Sequence, residues 1–341
     1  MCKPKFISWL RNLFMTSELY PWHYSYWQHL SAYVDQQRIP QALLINGVAG
    51  LGKQQLALYF AQYLMCSNKQ AQTFCAHCES CQLFIANTHP DFIWVQPEEV
   101  GKAIGVDLIR SLIVKLRLKP QYSGFRVVLI SPAEKMNNNS ANAFLKCLEE
   151  PPERTMFILL AEKMQVLPAT IISRCQKLFL MPTKLELVDV WLQEQGVTEQ
   201  QELLLNLAEG APLLALDYAQ SNVLEQRQNC FSEWQKIPLA NACPIELAEK
   251  WYKLPASQIL PWLISWTEDI IKCHFNVESS LLRNPDLEKH LNVLSKSLDL
   301  QCVYDFHRLL LNDMQRIQTQ LNKQLLFEEI LITWAQAAIK K

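Results

Sequence analysis

The first half of the chain alternates short, unbroken apolar runs with longer stretches in which apolar residues recur at helical spacing. Each run is bounded by polar or turn-forming residues and is rich in Val, Ile, Leu and Phe, which is typical of strands buried in a parallel sheet. The runs lie at Ala42–Asn46, Phe92–Val95, Arg126–Ile130, Met156–Leu160 and Lys177–Phe179. Because predicted strands and helices alternate, the pattern predicts an α/β domain in which helices cover both faces of a parallel sheet.

After Pro182 no further strand pattern appears, and the periodic segments are amphipathic helices. Their apolar stripes, rich in Leu, Ile, Phe and Trp, indicate internal packing rather than a cofactor site. The pattern predicts four parts: an N-terminal extension (residues 1–19), the α/β domain (20–182), a small helical lid (183–222) and an all-α C-terminal domain (223–341). The extension is interpreted either as loosely ordered or as lying upstream of a true start at Met15.

Composition and charge narrow the possible classes of protein. Of the 341 residues, 50% are hydrophobic, enough to bury the cores of two or three domains. The formal net charge of −1 gives no overall basic field of the kind that nucleic-acid binding favours. No apolar run reaches the roughly 20 residues of a membrane span, and Arg11 interrupts the apolar stretch near the N-terminus, so no secretory signal is expected. Eleven cysteines without an export signal indicate reduced thiols and a cytoplasmic location.

A glycine-rich turn, GVAGLGK, follows the first predicted strand and opens the next predicted helix. In this strand–loop–helix setting, the pattern G-x-x-x-x-G-K is that of a phosphate-binding loop. Its glycines, Gly47, Gly50 and Gly52, let backbone N–H groups face phosphate oxygens, and Lys53 is placed to reach the terminal phosphates. The next residue should be Ser or Thr, whose hydroxyl holds Mg²⁺, but it is Gln54. We therefore predict a degenerate nucleotide-binding site that has lost its metal ligand.

Two further parts of an ATP-hydrolysing site are missing from the sequence. The third predicted strand should end in an acidic pair that holds Mg²⁺ and activates water, but Ser131-Pro132 follows it. Glu134 comes three residues too late and is interpreted as a surface position at a helix start. The fourth predicted strand is followed by Ala161-Glu162, where a polar sensor of the γ-phosphate would be expected. The sequence therefore predicts that this site does not hydrolyse ATP.

Four cysteines lie close together after the helix that follows the glycine-rich loop. Cys66, Cys75, Cys78 and Cys81 have the spacing C-x8-C-x2-C-x2-C, within an insertion over residues 66–81. Four thiolates complete the tetrahedral shell of a closed, structural zinc site. An iron–sulfur cluster and simple buried thiols remain as alternatives, although no ferredoxin-type cysteine followed by proline comes after Cys81. His77 lies inside the loop as a possible substitute ligand, but a solvent-facing position is favoured.

Several motifs give the chain a family resemblance. The stretches SANAFLKCLEEPP (Ser140–Pro152) and ATIISRC (Ala169–Cys175) resemble the N-A-L-L-K-x-L-E-E-P-P and S-R-C motifs of the clamp-loader branch of the AAA+ ATPases. The four-cysteine insertion, THPDF (Thr88–Phe92) and YPW (Tyr20–Trp22) are also similar to that branch. The resemblance is dense from about residue 20 to 182 and thins to a helix pattern in the last third.

The resemblance implies roles for residues that spacing alone does not assign. In working members, a helix beginning G-S-L-R supplies an arginine that senses the bound phosphate, but here Leu213 stands at that position. Arg174, in the S-R-C motif, corresponds to an arginine finger that acts in trans on the γ-phosphate bound by the next subunit. The alternative is that Arg174 caps the preceding helix or pairs with an acid. The resemblance thus implies a chain that is no enzyme on its own, with weak or absent ATP binding and structural zinc.

The resemblance also implies partners. It predicts a non-hydrolysing stator in a heteropentamer with motor (gamma/tau) and delta subunits. The C-terminal domain would be the collar that joins the subunits, and the complex would be part of a replicative DNA polymerase holoenzyme. Through this complex the chain would help to place a sliding clamp on primed DNA. Four basic residues are interpreted as a solvated helix face rather than as a DNA contact: Arg110, Lys115, Arg117 and Lys119.

Two alternatives remain from other functional classes. The first is an active ATPase of the same fold, either a motor subunit or a remodeller of branched DNA, and the changes at Gln54, Ser131 and Leu213 oppose it. The second is a free-standing nucleic-acid-binding module that uses the cysteine loop. The loop segment CAHCESC carries no Lys or Arg to contact phosphates, which opposes this second alternative.

Overall fold

A computed structural model describes residues 18–99, 101–238, 242–317 and 322–337. The interpretation of the chain before residue 18, including a start at Met15, lies outside these described residues. The chain divides into two compact units, Met1–Leu216 and Asp217–Lys341. This division falls a few residues before the predicted start of the C-terminal domain, and the separate lid stays a prediction.

The first unit contains the predicted parallel sheet. Its strands are β1 (Ala42–Asn46), β2 (Phe92–Val95), β3 (Arg126–Ile130), β4 (Thr155–Ala161) and β5 (Gln176–Phe179). They pair in the order β2-β3-β4-β1-β5, with every neighbouring pair parallel. All five predicted strands are confirmed, and β4 gains one residue at each end because Thr155 pairs with Arg126 and Ala161 pairs with Asn46.

Helices alternate with these strands, as the pattern predicted, and further helices follow β5. They are α1 (Tyr24–Asp35), α2 (Lys53–Met65), α3 (Glu79–Ile85), α4 (Val106–Leu116), α5 (Asn138–Glu149), α6 (Ala169–Ile172), α7 (Asp189–Glu194), α8 (Gln201–Leu207) and α9 (Pro212–Gln220). Helix α2 is buried along nearly its whole length. Helix α5 is buried on one side, where Phe144 packs edge-on against Phe157 of β4 with ring centroids 5.3 Å apart. The described residues contain no strand after Phe179.

The second unit is helical. After α9 come α10 (Val223–Trp234), α11 (Pro244–Trp251), α12 (Ala256–His274), α13 (Glu288–Ser297), α14 (Leu300–Arg316) and α15 (Lys323–Gln336). Its core contains buried tryptophans, among which Trp234 and Trp334 stack with ring centroids 4.3 Å apart. The predicted apolar stripes therefore pack against one another inside the unit. Within the described ranges, no helix combines the length and apolar character that crossing a membrane requires.

Candidate nucleotide site, metal site and interface arginine

The glycine-rich loop connects the end of β1 to the start of α2 and is called the P-loop below (Gly47–Lys53). Gly50 and Gly52 adopt positive φ angles of 82° and 80°, which favour glycine. The P-loop begins beside the ends of two neighbouring strands, because Gly47 N donates to Ala161 O and Leu180 N donates to Asn46 O. The predicted strand–loop–helix setting is confirmed.

Lys53 is directed back into the P-loop. Its Nζ donates to Gly47 O at 2.7 Å and to Val48 O at 2.9 Å, and the residue is 9% exposed. Burial lowers the pKa of Lys53, while the negative charges of Glu162 and Glu134 oppose this shift. The ammonium group therefore bonds to the loop itself.

Gln54, at the position of the missing metal ligand, makes no compensating bond. Its Nε2 is buried and has no hydrogen-bond partner among the described residues. An amide N–H only donates, so this atom cannot coordinate a cation.

The backbone of the P-loop is also occupied by other parts of the first unit. Gly50 O accepts a hydrogen bond from Leu213 N at 3.1 Å, at the start of α9. A Cβ atom at Gly50 would lie 2.7 Å from Leu214 Cβ, so the two segments are in close contact. Leu213 stands where the resemblance expected an arginine, and its backbone instead fastens α9 to the loop.

The segment before α1 also covers part of the P-loop. Leu51 O accepts from Trp22 Nε1 at 3.0 Å and from His23 Nε2 at 2.8 Å. A carbonyl oxygen only accepts, so His23 must carry its proton on Nε2. Burial lowers the pKa of His23 to about 4, against the opposing effect of the bond to Leu51, so the ring is neutral at pH 7.

Aromatic side chains extend this cover. Tyr20 stacks on Trp22 with ring centroids 4.8 Å apart, and Trp191 of α7 meets Trp22 edge-on at 5.1 Å. A Cβ atom at Gly52 would lie 3.0 Å from the Tyr20 ring. The YPW motif, which the sequence linked only to a family, thus packs against the loop. The contribution of Trp191 was missed, because nothing in the sequence indicates that α7 returns to this place.

The interpretation of Glu134 holds only in part. Glu134 was interpreted as a surface position, but it is half-buried and its Oε1 accepts from Glu162 N at 3.0 Å. Its Oε2 is buried without a hydrogen-bond partner among the described residues. The reason is the short 3-10 turn Ala133–Lys135, which follows β3 and places Glu134 beside the end of β4. Ser131 and Pro132 occupy the position where the acidic pair was sought.

The four predicted cysteines come together. The sulfur atoms of Cys66, Cys75, Cys78 and Cys81 all lie within 4.8 Å of one another, and Cys66 Sγ is 3.6 Å from Cys75 Sγ and 4.0 Å from Cys78 Sγ. Zinc–sulfur bonds of about 2.3 Å in a tetrahedron separate the sulfurs by about 3.8 Å, so the group has the size of a single-ion site. His77 is exposed and is not a member of this group. The cysteine cluster can therefore hold a metal ion.

A hydrogen-bond chain attaches the cysteine loop to the sheet. Ser80 Oγ donates to Met65 O at 2.8 Å, which joins the two ends of the loop. His89 Nδ1 accepts from Asp91 N, so its Nε2 carries the proton and donates to Ser80 Oγ at 2.9 Å. The buried carboxylate of Asp91 pairs with Arg126 of β3 at 3.4 Å. The THPDF motif is thus the support of the loop, a role that its sequence alone did not indicate.

Arg174 follows α6 and reaches back to the end of α5. Its Nη1 donates to Thr170 O at 3.0 Å, and its Nη2 donates to Glu149 Oε1 at 2.9 Å. The side chains of Arg174 and Glu149 are 39% and 52% exposed. Both bonds of the alternative interpretation, to the preceding helix and to an acid, are therefore present. The action of Arg174 on a neighbouring subunit stays a prediction.

The predicted basic face is exposed. Arg110, Lys115, Arg117 and Lys119 lie on α4 or just after it, and all four are open to solvent. Arg110 also pairs with Asp107 one turn earlier at 3.3 Å. This arrangement is consistent with a solvated helix face.

Comparison with known proteins identifies the family on both sides of the division between the units. The family model described as "DNA polymerase III, delta subunit" matches residues 22–184. The one described as "DNA polymerase III, delta subunit, C terminal" matches residues 221–336.

Individual proteins are similar over most of the chain. The DNA polymerase III subunit delta' of Pseudomonas aeruginosa is 33% identical over 325 residues, which cover 94% of this chain and 98% of that protein. The subunit of the same name from Escherichia coli is 31% identical over 325 residues, which cover 92% of this chain and 94% of that protein. A solved structure of a DNA polymerase III gamma subunit-related protein from Thermotoga maritima covers 91% of this chain and 99% of its own, with a TM-score of 0.45 and 18% identity. From the two family models and from relatives that match along nearly the whole of both chains, this chain belongs to the DNA polymerase III delta' subunit family.

Proposed function

We propose that this chain is the non-hydrolysing stator of the DNA polymerase III clamp loader in DNA replication. It would assemble with motor (gamma/tau) and delta subunits in a heteropentamer that places the sliding clamp on primed DNA. In this proposal residues 183–222 form the lid and residues 223–341 form the collar. Family membership supports the clamp loader, and the condition of the P-loop supports the absence of hydrolysis.

The observation that carries this proposal is that groups of the first unit itself bond to the P-loop. Lys53 bonds to Gly47 and Val48, and Leu213 bonds to Gly50. A nucleotide would have to replace the two bonds of Lys53, each worth about 1 kcal/mol, without the Mg²⁺ ligand that would offset their loss. ATP binding to this chain is therefore expected to be weak or absent.

Arg174 is proposed to serve the nucleotide of a neighbouring motor subunit. A guanidinium is always charged and presents a planar fork to phosphate oxygens, which suits it to this role. The side chain is 39% exposed, so a partner subunit can reach it. Arginine fingers supplied in trans accelerate phosphoryl transfer by about 10³- to 10⁵-fold.

The cysteine cluster is proposed to hold zinc in a structural role. The four sulfurs fill a tetrahedral shell and leave no position for water, so a bound zinc ion would have no open site for catalysis. The residues 66–81 would then depend on the metal for their local fold.

The test is ATP hydrolysis by the complex reconstituted with motor and delta subunits, using either the parent chain or Arg174→Ala. We expect the chain alone to be inactive. With Arg174→Ala, we expect a lower rate of DNA- and clamp-stimulated ATP hydrolysis by the complex. The loss should equal the contribution of the one motor subunit whose nucleotide Arg174 would contact. A matched control is Arg154→Ala, because Arg154 is also exposed and donates to a single backbone carbonyl, that of Ser123.

Each outcome separates the candidate functions. Turnover of ATP by the chain alone would support the active-ATPase alternative and contradict a stator. An unchanged rate with Arg174→Ala would show that Arg174 is structural only. Equal losses with Arg154→Ala and Arg174→Ala would point to a general defect in assembly.

A further inference from the structure

The ion pair between Glu149 and Arg174 links two motifs that the sequence presents separately. Glu149 is the last residue of α5 and belongs to LEEPP, whereas Arg174 follows α6 and belongs to S-R-C. Resting on the proposed role of Arg174, we infer that Glu149 is a positioning residue that holds this arginine in the free subunit. It releases Arg174 when a nucleotide is bound across the interface.

The geometry leaves the arginine available for exchange. Its two bonds, to Thr170 and Glu149, use two of the five N–H groups of the guanidinium, and no further partner lies among the described residues. The terminal phosphate of a nucleotide carries more negative charge than one carboxylate. It can therefore displace Glu149 while the side chain keeps its general direction.

The surroundings make the Glu149–Arg174 ion pair weak enough for a nucleotide phosphate to replace the carboxylate. Both side chains are well exposed, at 39% and 52%, so solvent and salt screen their attraction. Glu149 also lies at the C-terminal end of α5, where the helix carbonyls make a negative charge unfavourable. The positive charge of Arg174 offsets the negative charge of Glu149. When Arg174 moves to the nucleotide, the Glu149 carboxylate therefore becomes less stable. The carboxylate therefore competes with the nucleotide for the arginine.

Glu149→Gln tests this competition because it keeps the shape of the side chain and removes its charge. In the reconstituted complex, we expect the KM for ATP to fall about two- to fivefold, the range set by exposed ion pairs. The value of kcat should not decrease, because Arg174 itself is retained. Glu150→Gln is the matched control, since Glu150 is the next residue, is exposed and has no bond to Arg174.

The double variant Glu149→Gln/Arg174→Ala completes a cycle. We expect the effect of Glu149→Gln to vanish when Arg174 is absent. If the KM still falls in the double variant, Glu149 acts by direct repulsion of the nucleotide and the inference is wrong.

The remaining outcomes separate this inference from the proposed function. If Arg174→Ala slows ATP hydrolysis but Glu149→Gln and Glu150→Gln have the KM of the parent, the role of Arg174 is supported and that of Glu149 is rejected. If Glu149→Gln lowers kcat, Glu149 orients the arginine for catalysis and does not compete for it. If Arg174→Ala itself has no effect, the proposed role of Arg174 as an arginine finger fails, and the inference about Glu149 fails with it.

Discussion

At the scale of single residues, the P-loop keeps the backbone shape of its motif while its lysine bonds within the chain itself. Gly50 and Gly52 keep the positive φ angles that the turn requires. Of the groups that would meet phosphate, the Lys53 ammonium is engaged elsewhere, since it donates to two loop carbonyls. Leu51 O separately accepts two bonds from the segment before α1. A motif search detects the glycines and the lysine, but it cannot detect where the lysine points.

His23 gives this packing a dependence on pH. Its folded-state pKa is about 4 because of burial, below the ordinary value of 6.5. As the pH falls from 6.5 to 4, His23 binds a proton in the unfolded chain before it does so in the folded chain. The stability that neutral His23 contributes above pH 6.5 is therefore lost towards pH 4. We expect the parent to lose about 1–2 kcal/mol more stability than His23→Gln between pH 7 and pH 5.

Urea unfolding of both proteins at the two pH values measures this difference. Glutamine keeps an N–H donor for Leu51 O but does not titrate. Equal losses in the parent and the variant would mean that His23 is not the titrating group.

At the scale of elements, the strands were predictable because their apolar runs are continuous and buried on both faces. The order of the strands and the support of the cysteine loop could not be predicted, since they depend on contacts between residues that are far apart in the sequence. Ser80 and His89 are nine residues apart, and Asp91 meets Arg126 across 35 residues. The spacing of the cysteines was sufficient to predict that they cluster, because C-x2-C brings two thiols close together in a short local segment.

The cysteine loop carries a prediction about metal content. We expect about one zinc ion per purified chain, and we expect Cys78→Ser to lose it because a three-sulfur shell is incomplete. Cys243→Ser is the control, since Cys243 is exposed and lies outside the cluster. Elemental analysis of metal and acid-labile sulfide decides the matter. Iron with sulfide would support the cluster alternative, and equal zinc in both variants would contradict the assignment of ligands.

At the scale of the whole molecule, the α/β architecture and the helical second half could both be predicted from hydrophobic periodicity. The position of the division could not, because α9 runs across it without a break in its pattern. The packing of Trp191 on Trp22 and of Leu214 against Gly50 also escaped prediction. Such contacts follow from how the chain folds back on itself, for which the sequence gives no local pattern.

The second unit should fold alone. Its buried core lies between Val223 and Ala337, and its buried Arg227 pairs with Asp286 at 2.7 Å inside the same unit. We expect a fragment of residues 212–341, which keeps α9 whole, to show a helical circular dichroism spectrum and a cooperative thermal transition. A fragment that is helical but melts without cooperativity would show that its core needs the first unit.

The bond from Leu213 N to Gly50 O has a consequence for how such a subunit responds to the energy state of a cell. It joins α9 to the P-loop through backbone atoms of the chain itself, so this junction needs no ligand to form. If the chain binds ATP as weakly as proposed, this junction is expected to keep its geometry whether ATP or ADP predominates. The chain would then act as a fixed reference in its assembly, against which the movements of nucleotide-dependent neighbours are set.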